Sequence, residues 1–333
     1  MNILNLNSIG SLTINGILNR NGTPCPARLT RVNIPKDLVK AEVFPYEEFD
    51  PTSVYREVPS RPESVLPPSE CLHATATIGE KKGAGSNAVV HELNKVRIRN
   101  SPHPVRIPPL VVKIAFTNRV EMLAREAWFY DEMESLQGSV IPRCYGWFEM
   151  DLRTTSPDDA PYTIFNWPKF AADPDPETET GELPHPMLTE RASRQDILSI
   201  IVLEKLRGPF GRNPSGLFPR GSKKDIRGLF SEVQALSINL VPDISENNIL
   251  RAARPSALQP AVEAPHFKGK HKYRLVDFGM ATKSNRTPAS LSQDHFSEVI
   301  QMFENIPDID VPEPQSTSSS DSEEFSGDDL AEA

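Results

Sequence analysis

Apolar residues along the chain fall into short blocks separated by proline-rich stretches. Residues 1–70 show brief alternations such as Leu12-Thr13-Ile14 between Pro35, Pro45, Pro51, Pro59, Pro62, Pro67 and Pro68. Each proline removes a backbone donor and pushes the preceding residue out of helical space. An irregular arm with a short early hairpin is therefore expected there. Leu110-Val111-Val112-Lys113-Ile114-Ala115, entered from Pro108-Pro109, is an apolar run broken by one lysine and predicts a strand. Val120, Leu123, Ala127, Tyr130 and Met133 then recur at helical spacing. Gly138 stops that helix, and Val140-Ile141-Pro142 with Cys144 to Glu149 predicts the next strand.

The segment from Asp151 to about Asp196 is rich in Pro, Asp and Glu and has the look of an insertion in a tight strand connection. Its aromatic cluster, Tyr162, Phe165, Trp167 and Phe170, is expected to pack back on the domain. Ile200 to Leu206 resumes the sheet. Ile226, Leu229, Phe230, Val233 and Leu236 mark one face of a helix over 225–236. Tyr273-Arg274-Leu275-Val276 predicts a short strand, and Phe296, Val299, Ile300 and Phe303 mark a last helix over 292–306. The expected organisation is an arm (1–70), a domain (71–306, with the insertion at about 151–196) and a tail (307–333).

Composition narrows the class. The chain has 333 residues with 38% hydrophobic and 24% charged, enough for a sizeable core, and its 32 prolines require much loop or extended chain. The formal charge is -9, but nine Asp or Glu and no Lys or Arg lie from Asp308 onward, so the rest is nearly neutral. No nucleic-acid footprint follows from that balance. The tail, with Ser316-Thr317-Ser318-Ser319-Ser320-Asp321-Ser322-Glu323-Glu324, has a disordered, solvating composition. Cys25, Cys71 and Cys144 are odd in number and widely spaced, which suggests free thiols in a reducing compartment. With no apolar run of membrane-spanning length and no leader pattern, a soluble intracellular protein of cytoplasm or nucleus, without membrane or nucleic-acid partners, is expected.

Three stretches carry candidate chemistry. Ile78 to Val90 contains Gly83, Gly85 and Ala88; glycines there let backbone N–H groups close over phosphate oxygens, although an ordinary turn would use them too. Lys113 in a buried strand is costly without a partner, so a carboxylate or a ligand is expected beside it. Glu126, near the middle of the following helix, is the first candidate and Glu132 the second. Asp243 and Asn248, five positions apart, precede Asp277-Phe278-Gly279. Together they place three magnesium- and proton-competent side chains on two adjacent turns.

Glycine loop, strand lysine, helix glutamate, D-x4-N and D-F-G stand in the order found in protein kinases. Over about residues 75–285 the chain resembles that superfamily, and within it the small, degenerate kinase-like proteins of filamentous fungi with a shortened C-terminal lobe. The resemblance implies a bilobal α+β fold: an N-terminal lobe of antiparallel sheet plus one helix, and a reduced, mainly helical C-terminal lobe. It implies ATP and magnesium as cofactors and transfer of the γ-phosphoryl group to a Ser/Thr hydroxyl of a protein substrate. Lys113, oriented by Glu126, would neutralise phosphate charge under Gly83 and Gly85. Val90 would cover the adenine, and backbone groups near Glu204 to Leu206 would bond it. Asp277 and Asn248 would hold magnesium, and Asp243 would accept the hydroxyl proton.

The departures bear on activity. Val241 and Pro242 replace the His and Arg that precede the catalytic Asp in the family pattern, and no A-P-E follows Gly279. Two alternatives stay open: a nucleotide-binding pseudokinase or scaffold, and a small-molecule kinase of the aminoglycoside or choline kinase type.

Overall fold

In the computed structural model, the described residues are 2–47, 52–66, 71–153, 160–164, 185–210, 218–241 and 244–304. Seven strands precede the first helix: β1 (Asn2–Ile3), β2 (Ile9–Arg20), β3 (Thr23–Arg31), β4 (Leu72–Ala84), β5 (Ala88–Arg99), β6 (Val105–Arg106) and β7 (Leu110–Ala115), then α1 (Val120–Glu132). There follow β8 (Cys144–Asp151), β9 (Tyr162–Ile164), α2 (Pro186–Ser193), β10 (Ile197–Glu204) and α3 (Ser222–Ala235). The chain continues through β11 (Ile238–Asn239), β12 (Ile249–Arg251), β13 (Tyr273–Leu275), β14 (Thr282–Lys283) and α4 (Pro288–Glu304).

The sheet runs β3-β8-β10-β7-β5-β4-β2, and β2 pairs again with β3, so seven strands close into a barrel. All pairings in the ring are antiparallel except β2 with β4, where Ile14 faces Ala76. That parallel pair needs a long crossover, which residues 32–71 supply. One apolar cluster draws Leu12, Leu29, Ala74, Val112, Phe148 and Ile200 from different staves and fills the barrel. A second, larger cluster lies between the outer faces of β7 and β10 and the helices, with Val111, Leu123, Ala127, Ile201, Phe230 and Phe278. β7 and β10 are thus covered on both faces, and every one of their residues is buried. This explains why they read as continuous apolar runs without alternation.

The barrel overturns the expected fold. Among the described residues strand exceeds helix, 35% against 22%, and a closed seven-stranded barrel is not a bilobal kinase-like fold with an antiparallel N-terminal sheet and a mainly helical second lobe. The physical reason lies in residues 9–31. They form strands of 12 and 9 residues that bridge two sheet edges, instead of an irregular arm with a short hairpin. Closure removes unpaired edges that would otherwise face solvent. Pro24 and Pro26 sit at the beginning of β3, where missing donors are best tolerated.

Residues 42–47 and 52–56 lie as a strap against the segment that follows Asp277. Glu42 bridges to Ser284 and Tyr55 to Arg286. Asn285, fully buried, accepts the Phe44 N–H at Oδ1 (3.0 Å) and donates from Nδ2 to the Phe44 carbonyl (2.7 Å). Among the described residues, no helix is long and apolar enough to cross a membrane.

Candidate functional site

Lys113 is the fourth residue of β7, and its side chain leaves the outer barrel face toward α1 rather than entering the barrel. Its Nζ donates to Glu126 Oε2 at 2.6 Å and to Asp277 Oδ1 at 2.7 Å. Burial opposes the ammonium charge, but the Glu126 and Asp277 carboxylates outweigh it and hold the lysine above its ordinary range. Glu126 is therefore the partner in α1. Glu132, the second candidate, is bound instead by Arg61 at 2.7 Å and by Lys283.

Asp277 adopts a left-handed backbone, φ 69°. For a residue other than glycine this costs on the order of 1 kcal/mol and is found where surrounding structure dictates it. The surroundings are clear: Phe278 is buried edge-on against Tyr130, ring centroids 5.2 Å apart. Arg125 donates to the carbonyls of Gly279 and Ala281, both at 3.0 Å. Neighbouring residues of α1 thus serve the two sides of one turn, Glu126 through Lys113 and Arg125 through the backbone. Sequence reasoning missed Arg125, because its acceptors are backbone carbonyls, which any residue type supplies.

The β4–β5 hairpin covers the cluster. Gly83 pairs with Val90, and Val90 with Lys113, so the half-buried Val90 flanks the lysine. Both glycines are exposed. A Cβ on Gly83 would meet open space, whereas one on Gly85 would lie 4.0 Å from Asp277 Oδ2. The hairpin tip therefore stands over the Asp277 carboxylate. Gly85 N–H bonds the Ala88 carbonyl at 3.0 Å, and Phe116 N–H bonds that of Asn87 at 2.9 Å, which fixes the tip to the end of β7.

Asn248 ends a 3-10 turn, Glu246–Asn248, directly before β12. Ile249 pairs with Leu275, and the Val276 N–H donates to the Asn248 carbonyl at 2.9 Å. The turn is thereby held beside Asp277, as the sequence suggested. Asp243 lies outside the described residues. Glu204 and Leu206 fall at the opposite end of β10. The Glu204 carboxylate accepts from the backbone and guanidinium of Arg143, each at 3.1 Å, and its N–H donates to the Arg143 carbonyl at 2.8 Å. That N–H is spent inside the protein and is not free for a base. Leu206 is half-buried just beyond.

The donor set can be tested for magnesium. Among the described residues no group of three or more His, Cys, Asp or Glu gathers to hold a metal. Asp277 has one oxygen on Lys113 and its other facing the hairpin, and Asn248 stands on the neighbouring turn, its carbonyl taking the Val276 N–H. One or two protein oxygens completed by phosphate oxygens and water suit magnesium, which seldom occupies an all-protein cage. The residues fit a metal brought with a polyphosphate.

No family model and no curated protein matches the chain.

Proposed function

We propose that the chain binds ATP with magnesium at the Lys113 cluster and transfers the γ-phosphoryl group to a hydroxyl, with a Ser/Thr protein as the substrate class. The observation that supports this reading is the bridge from Lys113 to Glu126 and Asp277 beneath the glycine hairpin. A buried ammonium between two carboxylates, beneath two exposed glycines, is suited to polyphosphate and a divalent cation. Neutralising and positioning phosphate is most of what phosphoryl transfer requires.

In this reading Lys113 neutralises phosphate charge and Glu126 keeps it oriented. Gly83 and Gly85 admit phosphate close to backbone, and Val90 covers the base. Asp277 and Asn248 hold the magnesium, which offsets charge on the phosphate oxygens. Asp243, assigned from its spacing to Asn248, accepts the hydroxyl proton as the oxygen attacks the γ-phosphorus and the bond to the β–γ bridging oxygen breaks.

A second reading, nucleotide binding without transfer, is favoured by Val241 and Pro242 in front of Asp243. Magnesium-dependent ATP turnover separates the two, measured with a generic protein substrate on wild type, Asp243→Asn and Lys113→Met. The first reading expects turnover in wild type, lost in both variants, with ATP binding retained in Asp243→Asn. Binding without transfer in wild type selects the second, and absence of ATP binding removes both.

A further inference from the structure

α3 is preceded by Gly221, which offers no side chain to cap the helix. A cavity of about 340 Å³ opens there, walled by Phe218 and Phe303 and rimmed by Lys223, Lys224 and Arg227. Lys223 Nζ stands 5.9 Å from the Phe303 ring centroid, and Arg227 lies 4.3 Å over the Phe296 ring, itself 42% exposed. Among the described residues none of these three cations has a carboxylate partner, and Arg227 Nε is buried without a hydrogen bond. Asp225, the one acid in the first turn of α3, is committed elsewhere, to His271 Nδ1 at 2.9 Å and the Lys272 N–H at 2.8 Å. The positive end of the helix dipole adds to the same field. The groove is therefore apolar on its walls and cationic on its rim, with no acid among the described residues compensating it.

We propose that this groove is the docking site of the chain's own acidic segment directly after α4, residues 305–313. Its sequence, Asn305-Ile306-Pro307-Asp308-Ile309-Asp310-Val311-Pro312-Glu313, alternates apolar and acidic residues and has no cation. The apolar members match the Phe218 and Phe303 walls, and Asp308 and Asp310 match the rim. Position adds to charge complementarity. Phe303 is both a wall of the groove and the next-to-last residue of α4. An extended chain advances about 3.3 Å per residue, so Asp308 comes within about 17 Å of that wall without further linker. Tethering at that length gives a high effective concentration and lets weak surface ion pairs suffice. The inference is independent of the nucleotide reading.

The test is photocrosslinking in the full chain, with p-benzoylphenylalanine in place of Ile309 and the attachment site mapped by mass spectrometry. The expected result is an attachment within one chain to residues 218–227 or to Phe296. The yield should fall about tenfold in Lys223→Glu/Lys224→Glu and recover when Asp308→Lys/Asp310→Lys is added, the size expected from reversing two exposed charge pairs. Lys224 is exposed and Lys223 half-buried, and a thermal melt verifies folding. Raising the salt on the protein with native charges needs no rim variant and should lower the yield in the same direction. Attachment spread over the surface, yield indifferent to both charge and salt, or attachment only between two chains would each overturn the proposal.

Discussion

Lys113 Nζ lies 2.7 Å from Asp277 Oδ1, though the two residues stand 164 positions apart in the chain. The same nitrogen lies 2.6 Å from Glu126, so one ammonium separates two carboxylates. Removing it leaves those carboxylates facing one another in a poorly solvated site. Lys113→Met should destabilise the protein by about 3 kcal/mol, the usual cost of breaking a buried pair from one side. Denaturant unfolding of the two proteins measures it.

The same lysine sets a pH dependence at the alkaline end. Its folded-state pKa is raised above the ordinary 10.5. The unfolded chain therefore loses the proton first, and the stabilisation, complete below pH 10.5, declines as pH rises above that value. The stability difference between wild type and Lys113→Met should stay flat below that point and shrink beyond it. A difference that grows with alkaline pH would contradict the bridge.

Gly85→Ala separates folding from binding. The added Cβ would be 4.0 Å from Asp277 Oδ2, an ordinary contact, so stability should change by no more than about 0.5 kcal/mol. The methyl does occupy the space between hairpin and carboxylate where phosphate would sit. ATP affinity should fall, by about tenfold for a clash worth about 1.4 kcal/mol. Calorimetric titration alongside a thermal melt reads both quantities.

His295 should govern stability in mild acid. Burial is the chief cause that lowers its pKa, from 6.5 to about 4. Nε2 lies 3.0 Å from both the Leu240 N–H and Asn239 Oδ1, and Nδ1 lies 2.8 Å from the Gln234 amide nitrogen, so a ring protonated at both nitrogens would face an N–H donor on each side. The unfolded chain takes up the proton first, so stability present above pH 6.5 is lost as pH falls toward 4. The loss approaches about 3 kcal/mol from this group. His295→Gln should flatten that part of the profile in urea titrations at graded pH.

Asn285→Ala tests the strap. The substitution removes two bonds from the buried Asn285 side chain to the Phe44 backbone, for a loss of about 2 kcal/mol. Hydrogen exchange should rise at residues 42–46 and 283–287 together, because each holds the other. Protection lost in only one of them would show that the strap is not a unit.

Much of the site was legible because its parts are local patterns. A lysine inside an apolar strand announced a partner, helical spacing placed Glu126 on the next element, and the Gly83–Val90 and Asp277–Gly279 stretches marked two turns. Mid-helix position put Glu126 ahead of Glu132, although both sit on α1 and either could face the lysine. The choice was made by Arg61 and Lys283, which reach Glu132 from distant parts of the chain. Arg125 was unreadable for a similar reason: its acceptors are carbonyls of residues 279 and 281, and any residue type supplies a carbonyl.

The sequence by itself determined β7, β8, β10 and β13 and the helices α1, α3 and α4, because period and proline placement act within a few residues. It also determined the pairing of a buried cation with acids, because desolvation demands it. Only the tertiary structure decided how the sheet ends. Residues 9–31 have weak alternation and prolines at the start of β3, and they become strands by filling the gap between β8 and β4. That gain comes from edge pairing and from burying Leu12, Ile14 and Leu29 in a common interior, contacts that no local window contains.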